Sequence, residues 1–302
     1  MRLGELSLST LISLAQNGRL ILETGPFNVR IKTASRSFLE YLRIIYGYYT
    51  VDTSERILSF DIFLSSPLGL RRWHRPQIRF LLDGQQLFDP FPASHAPPLF
   101  EWGLNWCIAR RAHRYLLLHA AVLDKNGNAL ILPAHPGSGK STLCAALSLK
   151  GWRLLSDEFG MIEPETGNVI SIPRPIALKN QSIEVIRGRF THATIGPLFP
   201  ETRKGTVAHV QPNRQSVDGI RTPARPRWIV FPKYQADAAL TLSPFAKPQS
   251  FMRLANNSFN YEVLGVRGFE TVRRLIRQCD CRRLEYGNVD EARAVLDELE
   301  RE

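Results

Sequence analysis

Residues 129–150 read Ala-Leu-Ile-Leu-Pro-Ala-His-Pro-Gly-Ser-Gly-Lys-Ser-Thr-Leu-Cys-Ala-Ala-Leu-Ser-Leu-Lys, and this stretch decides the fold. The apolar run 129–132 predicts a short buried strand. Residues 133–139 contain two prolines and two glycines, so they predict a loop that ends the strand. Small and apolar residues over 142–149 then predict a helix. A strand that meets a helix through a glycine-rich turn ending in Gly-Lys-Ser-Thr is typical of a phosphate-binding loop.

The loop contains the residue types that phosphate binding requires. Gly137 and Gly139 can adopt backbone angles closed to other residues, so that successive N–H groups curve around a phosphate. The N-terminus of the following helix directs partial positive charge at the same anion. Lys140 can reach the β- and γ-phosphates of ATP, and the Ser141 hydroxyl can bind Mg²⁺. Residues 134–141 match the pattern G-x-x-x-x-G-K-[ST] except at the first position, where Ala134 replaces glycine. This position is the farthest from the lysine, so we expect alanine to be tolerated there. The predicted nucleotide-binding residues are Ala134, His135, Pro136, Gly137, Ser138, Gly139, Lys140, Ser141 and Thr142.

The composition is that of a folded, basic protein. The 302 residues are 44% hydrophobic and include 39 Lys and Arg against 28 Asp and Glu, a formal net charge of +11. An excess of positive charge is compatible with binding to nucleotide phosphates, acidic proteins, nucleic acid or membrane headgroups, and the charge alone does not distinguish these partners. The four cysteines form no C-x-x-C pair, which favours reduced thiols over a zinc site. The first residues do not resemble a signal peptide, and no apolar run approaches about 18 residues. We therefore expect a cytoplasmic protein without membrane insertion.

Two domains are predicted, an α+β module over 1–112 and a second domain over 113–302. In the first, turn residues at 24–26 and 83–84 predict β-hairpins. The run Arg-Arg-Trp-His-Arg at 71–75 has residue types that contact RNA, but a solvated loop is the favoured interpretation and we expect no nucleic acid partner.

Helical spacing of apolar residues predicts two helices in the first module. One covers 38–46 and follows an S-x-x-E capping box that starts at Ser37. The other covers 97–110 and is opened by proline. Strands and helices in this order predict an α+β arrangement.

Candidate catalytic residues flank the phosphate loop in sequence. His119 interrupts an otherwise apolar strand predicted over 115–122, and a short turn joins that strand to the loop strand. An antiparallel neighbour of this kind differs from the parallel sheets of most α/β proteins. A lone histidine in an apolar strand is as readily a core residue as a site residue. After the loop helix, a strand over 152–155 is followed by Asp157 and Glu158, where phosphoryl-transfer enzymes keep a metal-binding acid or a base.

Three segments together resemble the HPr kinase/phosphorylase family. They are His119-Ala-Ala, Ala134-His-Pro-Gly-Ser-Gly-Lys-Ser and Lys150-Gly-Trp-Arg-Leu-Leu-Ser-Asp-Glu. That family has a His-small pair on the strand before the P-loop hairpin, and a basic-Gly-x-x-Leu-x-x-Asp-Asp stretch after the P-loop helix. The resemblance implies an α/β fold with a P-loop core of HPr kinase type, in which a mixed, β-rich sheet surrounds the P-loop helix beside an N-terminal α+β module.

Within that family, the chain is most similar to the HPr kinase-related proteins called kinase A. Those proteins are encoded near small PqqD-like proteins and exosortase/PEP-CTERM loci. Residues 173–180 and 259–269 are similar to that subgroup. The resemblance covers roughly 113–302, whereas 1–112 does not resemble the family's usual N-terminal domain.

The resemblance also implies catalytic roles. Asp157 corresponds to the general base toward a substrate serine hydroxyl, and Lys140 and His119 are the other catalytic candidates. Glu158 corresponds to a second acid, aspartate in the parent family, and is assigned with Ser141 to Mg²⁺. The family's Glu-x-Arg-Gly-x-Gly signature has only an altered match in Glu-Val-Ile-Arg-Gly-Arg, so we expect kinase activity without phosphorolysis.

Two later regions receive structural predictions. Basic residues laced with Pro and Gly over 187–227 predict either a loop that clamps the substrate or a solvated loop, with equal weight. The run from 268 towards 302 is predicted to be largely helical, with a last amphipathic helix over 289–299.

The favoured function is an ATP-dependent kinase that phosphorylates a serine of a protein or peptide substrate. A small PqqD-like protein encoded nearby is one candidate substrate. A kinase of a small metabolite shares the same phosphate-binding elements and stays open. A non-catalytic ATP-binding partner protein also stays open, because Ala134, Glu158 and residues 184–188 depart from the expected patterns. A homo-oligomer is compatible with each.

Overall fold

The computed structural model describes residues 1–54, 56–67, 69, 74–135 and 137–300. Residues 71–73 of the predicted basic run lie outside the described residues, and so does Pro136 of the predicted phosphate loop. The described part of the chain is a mixed α/β structure, in agreement with the predicted fold class.

The described strands form three sheets. In chain order they are β1 (Ile21–Thr24), β2 (Phe27–Thr33), β3 (Val51–Asp52), β4 (Phe60–Ser65), β5 (Gln77–Leu82), β6 (Gln85–Gln86), β7 (Phe91–Pro92), β8 (Leu116–Lys125), β9 (Asn128–Pro133), β10 (Arg153–Ser156), β11 (Phe159–Ile162), β12 (Val169–Ile170), β13 (Ile176–Lys179), β14 (Phe199–Thr202), β15 (Gly205–Val210), β16 (Arg225–Tyr234), β17 (Thr241–Pro244) and β18 (Asp280–Tyr286).

Ten α-helices lie in the described residues. They are α1 (Leu8–Gln16), α2 (Arg36–Ile45), α3 (Ala96–Arg111), α4 (Lys140–Ser148), α5 (Gln181–Arg189), α6 (Arg214–Asp218), α7 (Lys247–Asn256), α8 (Tyr261–Leu264), α9 (Val266–Gln278) and α10 (Val289–Leu299), and short 3₁₀ helices cover Leu3–Glu5 and Ala93–His95.

The largest sheet contains the strand that leads into the predicted phosphate loop. Its strand order is β12-β11-β8-β9-β16-β18-β17, with β10 also beside β8. Strand β9, which leads into the loop, lies between antiparallel β8 and parallel β16. The predicted antiparallel neighbour is therefore confirmed. Because strand side chains alternate, Leu130 and Leu132 pack in the core under α4, while Ala129 and Ile131 pack in the core under α7 and α9. Burial on both faces explains why this strand is apolar throughout.

The N-terminal sheet has the order β3-β1-β2-β4-β5-β6, with β7 beside β5. Both predicted hairpins are present, as β1–β2 and β5–β6. Helix α2 begins earlier than predicted, because the Ser35 hydroxyl accepts the Phe38 backbone N–H at 3.4 Å and takes the N-cap position. The capping box predicted at Ser37 is therefore wrong.

The two predicted domains share hydrophobic contacts. Leu117, Phe159 and Ile172 belong to the same buried cluster as the core of residues 1–112. The boundary between 1–112 and 113–302 stays a prediction, but the two parts are in close apolar contact.

Two predictions about the later chain need correction. The run after residue 268 is not helical throughout, because Asp280–Tyr286 forms β18. This strand pairs in parallel with β16 along its whole length, and that pairing overrides its weak local signal. Residues 187–227 are not one loop either, since they include the end of α5 and the elements β14, β15 and α6.

Candidate active site

The phosphate loop joins β9 to α4 in the predicted manner. Gly137 and Gly139 have φ values of +88° and +82°, in the left-handed region that favours glycine. At Gly139 a side chain is excluded for a second reason, because a Cβ would lie 2.3 Å from the Tyr286 hydroxyl. The loop can therefore present its backbone N–H groups to a ligand only with glycine at this position.

Two tyrosines at the ends of β16 and β18 hold the loop. The Tyr286 hydroxyl donates to the Gly139 carbonyl at 3.2 Å, and the Tyr234 N–H donates to the Ser138 carbonyl at 3.1 Å. These tyrosines end the parallel strands β16 and β18, so their positions depend on the sheet. Sequence reasoning singled out neither residue, and the segment that forms β18 and carries Tyr286 was predicted to be helical.

Lys140 begins α4 and is buried. Its ammonium group donates to the Asp157 backbone carbonyl and lies 3.3 Å from the Asp157 Oδ1 atom. Burial lowers the pKa of Lys140, but the negative charges of Asp157 and Glu158 outweigh it and the pKa is raised. The predicted phosphate-binding cation is therefore paired with the predicted base in this structure.

The two adjacent carboxylates have different surroundings. The Asp157 side chain is 2% exposed, and its Oδ2 atom has no hydrogen-bond partner among the described residues. Glu158 is more exposed, and its Oε2 atom lies 3.5 Å from the His119 Nε2 atom. Burial raises the pKa of Glu158, but the His119 hydrogen bond and the charges of Lys140, His119 and Lys204 hold it well below its usual range. The two adjacent carboxylates therefore have different partners, Lys140 for Asp157 and His119 for Glu158.

His119 is held in place by the backbone around it. Strand β8 places it opposite Phe159 of β11. Its N–H donates to the Asn257 carbonyl at 2.8 Å, and its carbonyl accepts the Asn257 side-chain amide at 2.6 Å. The aromatic ring of Phe259 lies 5.5 Å from the imidazole. The histidine is therefore a site residue in position, directed at Glu158 rather than into the apolar core.

A cavity of about 580 Å³ lies against the loop, large enough for a small-molecule ligand. Most of the predicted site residues line it: His119, His135, Gly137, Ser138, Gly139, Lys140, Ser141, Thr142 and Glu158. Ala134 is buried beneath the loop, and Asp157 lies behind Lys140 rather than on the wall. The cavity therefore brings the phosphate loop together with Glu158 and His119.

The rest of the cavity lining includes residues that the sequence did not single out and two residues of the predicted basic clamp. Lys179 and Ser182 come from β13 and α5, Lys204 from the turn between β14 and β15, and Val289 from α10. Of the predicted basic clamp over 187–227, Arg189 and Lys204 reach this cavity. These positions depend on a small antiparallel sheet, β13-β15-β14, that has no motif in the sequence.

A second, smaller cavity of about 30 Å³ lies on the other side of Asp157. Its lining includes Glu101, Asp157, Arg174 and His209. Three atoms of these residues are buried without a hydrogen-bond partner in the described chain: Asp157 Oδ2, Arg174 Nε and His209 Nδ1. A polar cavity of this size can accommodate an ordered water.

The residues at the loop fit a magnesium–nucleotide complex. In the part of the chain that the structure describes, no group of three His, Cys, Asp or Glu side chains forms a metal site. Mg²⁺ usually takes only one or two protein ligands and obtains the rest from phosphates and water. Ser141 and Glu158 both line the cavity and could supply those ligands.

Comparison with known proteins assigns no family to the chain. No protein-family model matches it, and no curated protein matches it significantly. No helix among the described residues is long and apolar enough to cross a membrane.

Proposed function

We propose that the protein is an ATP-dependent kinase that transfers the γ-phosphate to a hydroxyl, most readily a serine of a protein or peptide. The observation that carries the proposal is the 580 Å³ cavity, in which the phosphate loop faces Glu158 and His119. A phosphate site beside a carboxylate–histidine pair has the parts that phosphoryl transfer to a hydroxyl requires. The proposed core is of the HPr kinase type, in agreement with the motifs around residues 119, 134–141 and 150–158.

The chain's own residues would position the nucleotide. Backbone N–H groups of the loop and the N-terminus of α4 bind the phosphates. Lys140 exchanges its contact with Asp157 for the β- and γ-phosphates, where its charge offsets the charge that develops as the bond to ADP loosens. Mg²⁺, held by Ser141 and Glu158, would neutralise phosphate charge.

Asp157 is the proposed general base. When Lys140 moves to the phosphates, the Asp157 carboxylate loses its cationic partner and can accept a proton. The acceptor hydroxyl oxygen then bonds to the γ-phosphorus, the bond from that phosphorus to the ADP oxygen breaks, and the hydroxyl proton passes to Asp157. Catalytic hydrogen bonds often tighten only in the complex, so burial of Asp157 in the free protein is compatible with this role.

One observation favours a second candidate, a nucleotide-binding protein that transfers no phosphate. Asp157 does not line the large cavity, and its carboxylate is held by Lys140. A protein that kept this arrangement after binding ATP would have no base beside the acceptor.

Incubation of the full-length protein with γ-labelled ATP, Mg²⁺ and lysate of the source cells separates these candidates. We expect label in a protein or peptide, and no label with the Lys140→Ala variant. The matched control is Lys233→Ala, because Lys233 pairs with Glu285 outside the cavity. Label in a small molecule would indicate a metabolite kinase. ATP binding without transfer would favour the second candidate, and absence of ATP binding would exclude both.

A further inference from the structure

Two lysines on the large cavity have no anionic partner. Lys179 ends β13 and is half-buried, and Lys204 is exposed in the turn between β14 and β15. In the described part of the chain, neither ammonium group makes a hydrogen bond or an ion pair. The third lysine on the wall, Lys140, is neutralised by Asp157.

These charges are close enough to affect one another. Burial lowers the pKa of Lys179, and the positive charge of Lys204 lowers it further, against the opposing charge of Glu158. Lys204 and Lys179 line the same cavity as Glu158. Cations gathered in a partly buried cavity repel one another, and an anion that entered between them would relieve this repulsion.

The backbone holds both lysines in position. The Ser182 hydroxyl accepts the Lys179 N–H at 2.8 Å and donates to the Lys179 carbonyl at 2.7 Å. Beside it, the Asn180 side chain accepts the Thr206 N–H at 3.0 Å. Gly205 has a φ of +79°, and a Cβ there would lie 2.3 Å from Asn180 Oδ1. The turn that carries Lys204 is therefore fixed against the strand that carries Lys179.

The nucleotide phosphates already have partners of their own. The loop N–H groups, the α4 N-terminus and Lys140 surround the phosphate position on one wall. Lys179, Lys204 and Glu158 line the same cavity, so the two lysines are additional to the groups that the proposed function assigns to the nucleotide.

We propose that Lys179 and Lys204 form a subsite for an anionic group, a phosphate or a carboxylate, that the acceptor carries close to its reacting hydroxyl. This proposal rests on the proposed kinase function, because only a kinase binds a phosphate acceptor in this cavity. The subsite itself is a binding property and can be measured without any transfer.

Calorimetry on the full-length protein tests the subsite with two probes. Inorganic phosphate represents a phosphate-bearing acceptor, and the blocked peptide acetyl-Glu-Ser-Glu-amide represents a carboxylate-bearing one. Each is titrated into protein saturated with Mg²⁺ and the non-hydrolysable ATP analogue AMPPNP, which fills the phosphate loop. The variants are Lys179→Met and Lys204→Met, with Lys233→Met as the control that removes the same charge outside the cavity.

We expect at least one probe to bind, and to bind about tenfold or more weakly in each cavity variant, as for loss of a charged hydrogen bond. AMPPNP affinity should change less than twofold in all variants. The probe that binds identifies which anion the subsite accepts. The proposal is overturned if neither probe binds, if the control weakens binding equally, or if the cavity variants lose AMPPNP affinity, which would assign the lysines to the nucleotide. If wild type does not bind AMPPNP, the kinase proposal fails, and probe binding to the nucleotide-free protein still decides the subsite by the same variants.

Discussion

Two buried ion pairs, Lys140–Asp157 and Glu101–Arg174, contribute residues to the small polar cavity, and their carboxylates differ in how completely they are hydrogen-bonded. In the first, Lys140 lies 3.3 Å from Asp157 Oδ1, while Asp157 Oδ2 has no partner among the described residues. In the second, Arg174 donates to Glu101 Oε2 at 2.5 Å. The other oxygen of Glu101 accepts the hydroxyls of Tyr46 and Tyr41, at 2.7 and 3.2 Å.

Both ion pairs are buried, but the difference in the hydrogen bonding of their carboxylates indicates different roles. Both oxygens of Glu101 are satisfied, and the pair joins α3 of the N-terminal module to the segment before β13. Burial and the charge of Glu101 raise the pKa of Tyr41 and Tyr46 well above the usual value, so both hydroxyls remain donors. Arg174 Nε also has no partner among the described residues, so the contrast lies in the two carboxylates and in Lys140, which lines the large cavity. Under the proposed function, Lys140 would exchange Asp157 for a phosphate. We therefore interpret the first pair as functional and the second as structural.

The largest effect should come from breaking the structural pair. Arg174→Met leaves the Glu101 charge buried without its cation, which should lower the free energy of unfolding by about 3–5 kcal/mol. Urea unfolding of variant and wild type measures this. The double variant Arg174→Met/Glu101→Gln should recover part of the loss, because the uncompensated charge is gone. If the free energy of unfolding fell by less than about 1 kcal/mol, the Arg174–Glu101 pair would contribute no more than an exposed salt bridge, which would contradict a structural role.

On the functional side, Asp157→Asn keeps the size of the side chain and removes the base. Transfer should fall by about 10²–10⁴-fold, the usual share of general-base catalysis, while Mg²⁺–ATP binding is retained. Single-turnover assays with saturating nucleotide measure the transfer step directly. Full transfer activity in this variant would exclude Asp157 as the base.

Glu158→Gln should have a smaller and different effect. If Glu158 supports Mg²⁺, the variant needs more metal, and high Mg²⁺ partly restores its activity. The comparison is a metal titration of this variant beside Asp157→Asn and wild type. Rescue of Asp157→Asn by excess Mg²⁺, without rescue of Glu158→Gln, would reverse the roles of the two carboxylates.

The smallest effect should come from a partly exposed pair in the N-terminal module. The hydrogen bond from Arg30, opposed by partial burial and helped by Lys32, lowers the pKa of Asp61. A depressed carboxyl pKa stabilises the fold above the unfolded value of about 4 and loses this contribution as the pH falls through the folded value. Asp61→Asn should cost about 0.2–1 kcal/mol near neutral pH and less at about pH 3. Unfolding curves at both pH values check it, and an equal cost at both would show that charge is not the cause.

The sequence predicted the elements that carry strong local signals. The loop glycines, Lys140 and the strand–turn–helix order follow from one contiguous motif, and the structure has them in place. The part of the cavity lining that contains Lys179 and Lys204 could not be predicted, because it depends on a sheet formed by strands without a motif. The hydrogen bond from the Tyr286 hydroxyl to the loop depends on β18, whose parallel pairing with β16 is a long-range contact. The Arg174–Glu101 pair joins residues 73 positions apart, and no local pattern indicates such a partner.

The account depends most on Lys140 as the cation that leaves Asp157 for the phosphates of ATP. Calorimetric titration of Mg²⁺–ATP into wild type, Lys140→Ala and the Lys233→Ala control tests this directly. Loss of a charged hydrogen bond predicts affinity about tenfold or more weaker in Lys140→Ala and unchanged in the control. Equal affinity in all three proteins, or no binding to wild type, would contradict the assignment of this cavity to a nucleotide.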